Sequence, residues 1–120
     1  MERFYDIPGW EGIYEINPCG KIRRIKANHS GPKPKECIKH TPSGPYKYRT
    51  VRLSNLPRRE QPYVHHLVMR TFGPKKPSKL HEIDHQDSDN KNNCIENLRW
   101  VTHHENTLNR NKHGSTYNTR

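Results

Sequence analysis

A chain of 120 residues suits one domain with a small core. Lys and Arg number 22 against 12 Asp and Glu, a formal charge of +10, and only 28% of residues are hydrophobic, a balance typical of disordered chains. No apolar run approaches the ~18–20 residues that span a bilayer, and MERFYDIPGW lacks a signal-peptide core, so neither membrane insertion nor secretion is expected. The surplus positive charge points to a polyanionic partner, most simply nucleic acid.

Local patterns nevertheless predict folding. In residues 4–25, aromatic and aliphatic residues alternate with turn signals at Pro8-Gly9, Gly12 and Pro18-Cys19-Gly20. This predicts a hairpin of strands 13–17 and 21–25 turning at Gly20. Residues 26–35 read as a loop; 36–40, 46–53 and 61–64 then read as short strands between Pro, Gly and Ser punctuation. In 65–72, Leu67, Val68 and Phe72 have helical spacing before the Gly73-Pro74 stop. Strands are predicted at 80–85 and 98–101 and a helix at 102–111. Thr102 and Glu105 have the spacing of a capping box. Trp10 and Trp100 are expected in the core, which has few aliphatic side chains to draw on.

The charge is unevenly spread. Residues 1–78 carry 16 basic and 6 acidic side chains, whereas 79–120 carry 6 of each. Lys21, Arg23, Arg24 and Lys26, then Arg49 and Arg52, then Arg58 and Arg59 form basic groups suited to neutralising phosphates. Four acids, Glu82, Asp84, Asp87 and Asp89, fall within one eight-residue stretch. Carboxylates repel phosphate unless a metal stands between them. Asp84 from a strand and Asn106 from the following helix offer oxygen ligands suited to Mg²⁺, and His85 is a base able to take a proton from water. Neighbouring strand residues point to opposite faces, so Asp84 and His85 converge only where the strand bends.

The three cysteines, Cys19, Cys37 and Cys94, are odd in number and form no CxxC pair. They are expected as free thiols in a reducing compartment. A structural zinc is not expected; Cys37, His40 and Cys94 make a weaker alternative ligand set.

The segment DHQDSDNKNNCIENLRWVTHHEN resembles the motif of HNH endonucleases, in the branch found in phage and intron homing enzymes. VHHLVMRTFGP resembles the hydrophobic helix that leads into that motif, and IPGWEGIYEINPCGKIRRIK the short modular DNA-binding motif that often precedes it. The resemblance implies an α+β fold: a basic antiparallel β region for DNA docking at 1–60, then a ββα-metal (His-Me finger) nuclease region at 61–120, within one compact unit. It implies a DNA endonuclease, nicking or cutting both strands, with one divalent metal, Mg²⁺ or Mn²⁺. His85 would be the general base, Asn97 the brace of the loop between the strands, and Asp84 and Asn106 the metal ligands. Ser88 stands where relatives often have Gly. The implied partner is DNA, double-stranded, with no membrane, for a monomer or homodimer inside a cell, the bacterial cytoplasm where the source is a phage. A DNA- or RNA-binding module with an inactive HNH-like site is the competing reading.

Overall fold

A computed structural model describes residues 2–41 and 48–112, with side chains as far as 108. The first element is a four-stranded antiparallel sheet in sequential order: β1 (Tyr5–Asp6), β2 (Tyr14–Ile16), β3 (Ile22–Arg24) and β4 (Lys35–Glu36). The predicted hairpin is its centre, with Ile16 opposite Ile22 and Tyr14 opposite Arg24. Gly20 turns the chain at φ +86°, and a Cβ there would lie 2.8 Å from Val64 Cγ1. A larger residue is therefore excluded both by backbone conformation and by space.

The middle differs from expectation. The single strand predicted at 36–40 is two: β4 pairs with β3, while β5 (Lys39–His40) pairs with β6 (Thr50–Val51). The strand predicted at 46–53 is likewise divided, β6 being followed by β7 (Leu53–Asn55); residues 42–47 lie outside the described residues. A tight turn at 56–57 returns the chain as β8 (Arg58–Glu60), which pairs with β7. Arg58-Arg59-Glu60 lacks apolar alternation because it is an exposed edge strand, so periodicity did not find it. The strand predicted at 61–64 is absent; Tyr63 makes one isolated bridge to Thr50, and helix α1 (Val64–Phe72) begins at once.

The rear of the chain follows the sequence closely. β9 (His81–His85) and β10 (Leu98–Thr102) form an antiparallel ribbon, and α2 (His103–Lys112) packs against both strands. The capping box is present: Glu105 N–H donates to Thr102 Oγ1 at 3.2 Å, and Thr102 N–H donates to Glu105 Oε1 at 2.8 Å. The Thr102 N–H, first, and then the Thr102 hydroxyl hold the Glu105 carboxyl below its ordinary value.

One core joins front and rear. Ile7, Trp10, Ile16 and Ile22 pack with Val51 and Leu53, with Val64, Leu67 and Val68 of α1, and with Leu98. Trp10 is fully buried, its Nε1–H donating to Glu60 Oε1 at 2.8 Å beneath the Arg58 guanidinium, 3.7 Å from the ring. Trp100 is only partly buried, at the edge of this core. Free thiols at all three cysteines are not what the fold contains: Cys19 and Cys94 form a disulfide across 75 residues, leaving Cys37 free. No CxxC spacing signals this pair because its halves come together only through tertiary packing. Among the described residues, no helix is long and apolar enough to cross a membrane.

Candidate active site

The ribbon β9–β10 is closed by a loop that folds on its own polar side chains. Ser88, at φ +65°, sends its N–H to His85 O at 2.8 Å, and Gln86 N–H reaches Asn97 O at 2.8 Å. Asn97 sits at the end of a 3₁₀ turn, Ile95–Asn97, and is buried. Its Nδ2 donates to Asp87 Oδ1 at 2.9 Å and to Asn92 O at 2.8 Å, while its Oδ1 accepts from Asp87 N–H at 3.1 Å. A single amide thus ties both ends of the loop. Partial burial pushes the Asp87 carboxyl up, but the Asn92 amide, the Asp89 N–H, the Asn97 amide and the nearby His85 outweigh it, leaving the group below its ordinary value.

His85, the last residue of β9, is buried. Its Nε2 lies 2.8 Å from Oδ1 of Asn93, itself buried. The ring stacks on Tyr48 (centroids 5.8 Å apart, planes at 23°) and meets His65 of α1 edge-on at 5.0 Å. Burial, first, and then His66 and His85 push the His65 imidazole down to about 3, so it stands neutral beside His85. Its Nδ1 is buried without a hydrogen-bond partner among the described residues.

Asp84 and His85, though adjacent, are both buried at the strand end and engage different neighbours. Asp84 Oδ2 accepts from Arg99 Nε at 3.0 Å, across the pair that the ribbon places opposite each other. The carboxylate is 6% exposed and the arginine 43%, so a buried acceptor is oriented by a cation that reaches solvent. Asn106, on the helix fixed by the capping box, is 3% exposed, and its Oδ1 has no partner among the described residues. An amide oxygen left this way costs free energy unless something satisfies it. A carboxylate and a buried amide oxygen are the hard donors that Mg²⁺ or Mn²⁺ accepts, so these residues fit a divalent cation. The alternative zinc set is not assembled, since Cys94 Sγ is bonded to Cys19.

The basic residues separate into two kinds. Arg24 is buried, with Nη1 donating to Tyr14 Oη at 2.9 Å and Ser54 O at 2.6 Å and Nε to Lys26 O at 3.0 Å. It braces the frame rather than facing a partner. Arg58 caps Trp10 and donates to Gly9 O. Arg49 has a buried Nε without a partner among the described residues. Lys21 pairs with Glu2, Arg23 with Glu15, and Lys26 donates to Asn55, while Arg52 and Arg59 are exposed.

Sequence reasoning does not single out Asn93, Arg99, Tyr48 or His65. Arg99 had a usable signal, since its strand position opposite Asp84 follows from the ribbon register. Tyr48 had none, because its approach to His85 is purely tertiary.

The family model described as HNH endonuclease matches residues 62–108. Over 111 residues the chain is 31% identical to DNA endonuclease I-HmuI of Bacillus phage SP01, covering 92% of this chain and 58% of that protein. Its fold matches a solved structure described as "DNA binding and cleavage by the HNH homing endonuclease I-HmuI", with a TM-score of 0.77 and 28% identity over 94% of this chain and 60% of the other. The resemblance drawn from the motif and the α+β fold that it implies are both borne out. The chain spans 58% of the length of the curated relative it matches.

Proposed function

We propose that this chain, HNH-type in residues 62–108 and homologous along most of its length to a phage homing endonuclease, is a metal-dependent DNA endonuclease. The observation that carries the reading is the conjunction at the end of β9: a buried, oriented carboxylate, a buried oriented imidazole, and the unsatisfied Asn106 oxygen on the helix behind.

Asn93 Oδ1 can only accept, so the proton of neutral His85 sits on Nε2 and Nδ1 keeps the lone pair. Nδ1 then takes the proton from the attacking water as general base. Tyr48 and His65 hold the ring plane, and neutral His65 adds no charge that opposes protonation of its neighbour. Asn97 keeps the loop closed, so that Asn93 stays at His85. Asp84 and Asn106 would hold a divalent ion, Mg²⁺ or Mn²⁺, which when bound stabilises negative charge on the scissile phosphate and its leaving oxygen. Arg99 orients the Asp84 carboxylate toward that task.

Docking falls to Lys21, Arg23, Lys26, Arg49, Arg52, Arg58 and Arg59 on the β-rich front, residues 1–60, with the buried Arg24 supporting that surface from within. Residues 61–120 carry the cleavage site. The substrate is double-stranded DNA, met inside the cell. One site per chain cuts one strand at a time, so cutting both strands takes a dimer or two encounters.

The test is cleavage of supercoiled plasmid with Mg²⁺ or Mn²⁺, with EDTA, and with His85→Ala. Nicked or linear product that requires metal and vanishes in His85→Ala is expected. Plasmid binding without cleavage in either metal would instead support an inactive binding module.

A further inference from the structure

A second feature of the rear half lies beside the proposed cleavage site and takes no part in it. An open cleft of about 600 Å³ runs between the outer side of α1 and the ribbon. This is within the size range of small-ligand sites, roughly 300–1,000 Å³. Its floor is apolar, built from Leu67, Met69, Ile83 and Trp100. The indole is fixed by its Nε1–H, which donates to Pro74 O at 2.8 Å.

The rim is cationic, with Arg70, Lys75, Lys76 and the imidazole of His66, all exposed. Glu60 is the one acid lining the cleft among the described residues, and it already accepts from Trp10 Nε1 and Arg70 Nη1. Partial burial, then Lys76 and Arg70, hold the His66 imidazole below its ordinary value. The cleft also adjoins the base. Ile83 is two residues before His85 on β9 and so shares its face, and His66 meets His65, which meets His85.

A flat apolar floor with an aromatic ring and a cationic rim is complementary to a nucleotide outside the base stack: anionic at one end, with an exposed π-face at the other. We propose that the cleft receives one unstacked nucleotide of the bound DNA, its phosphate on Arg70, Lys75 and Lys76 and its base over Trp100 and Ile83. This rests on DNA being the substrate, but not on cleavage.

The test is therefore made in EDTA, on the full chain, with a single-stranded oligonucleotide and a sugar-phosphate oligomer of equal length lacking bases. Trp10 is fully buried, so quenching of tryptophan emission reports Trp100, and Trp100→Phe should abolish it. The oligonucleotide should quench and the base-free oligomer should not. Lys75→Ala with Lys76→Ala, both at exposed positions, should weaken binding about tenfold at low salt and lower the salt slope by about 1.4, from roughly 0.7 per phosphate on single strands. Unchanged affinity and slope in that double variant, or equal quenching by the base-free oligomer, would overturn the site while leaving the endonuclease reading intact. Failure of the wild-type chain to bind any DNA would overturn both.

Discussion

An amide oxygen facing a ring nitrogen decides which end of the imidazole is free, so at the residue scale Asn93 matters as much as His85. Asn93→Ala should leave DNA binding intact and slow single-turnover cleavage by at least about tenfold, part of the ~10²–10⁴ that a positioned base supplies. Asn93→Asp keeps an acceptor oxygen and should recover part of that rate. Loss of binding instead of rate would assign Asn93 to docking. His65 gives a pH signature. Its imidazole lies at about 3 in the folded chain against an ordinary 6.5, so the neutral form favours folding. That contribution is complete above about pH 6.5 and is lost as pH falls toward 3, an effect on the order of a few kcal/mol for a group this buried. The groups facing it are His66, His85, Tyr48 and Tyr63, none of them an acid that would stabilise the charged form. Urea unfolding at pH 7 and pH 4 should show a smaller loss of stability in His65→Leu than in the wild type.

At the scale of elements, the loop between β9 and β10 carries a strained residue at its tightest point. Ser88 holds φ +65° so that its N–H can return to His85 O. An L side chain is disfavoured there by roughly 1–2 kcal/mol, and glycine is not, although glycine gains entropy in the unfolded chain. Ser88→Gly should therefore raise the melting temperature by a few degrees without slowing cleavage; a lower melting temperature would mean that the serine side chain contributes something the backbone does not need. The same loop shows why the polar stretch 86–97 is ordered without aliphatic residues to bury. Asp87, Asn92 and Asn97 satisfy one another and the backbone, so few buried polar groups are left over.

Across the whole molecule, a single core and one covalent link hold front and rear together. Ile95 N–H donates to Pro18 O at 2.8 Å next to the Cys19–Cys94 bond, so the front hairpin's turn is fastened to the loop that holds Asn93. Closing 75 residues removes unfolded-state entropy worth about 4 kcal/mol in the chain-entropy account. Cys19→Ser, or reductant, should lower the urea midpoint markedly, whereas Cys37→Ser should change it little. Equal midpoints with and without reductant would count against the link. Front and rear also share Ile16, Ile22, Val64, Leu67 and Leu98 in one cluster, which is how a chain so poor in aliphatics buries enough of them.

The high charge and low hydrophobicity that suggested disorder are reconciled by where those few apolar residues fall. The hairpin at Gly20, helix α1, the ribbon and the capped α2 were all legible in the sequence, because each depends on local periodicity, a turn glycine or a cap. The residues of the HNH-type motif were legible through their resemblance to that family's motif. The division of the predicted strands at 36–40 and 46–53 into separately paired pieces, and strand β8, were not, since these strands are short, partly charged and defined only by their pairing. Nor could local pattern show that Arg24 turns inward to Ser54, that Cys19 meets Cys94, or that Tyr48 and His65 enclose His85. Each of those contacts joins residues far apart along the chain, and only the closing of the common core brings them within reach.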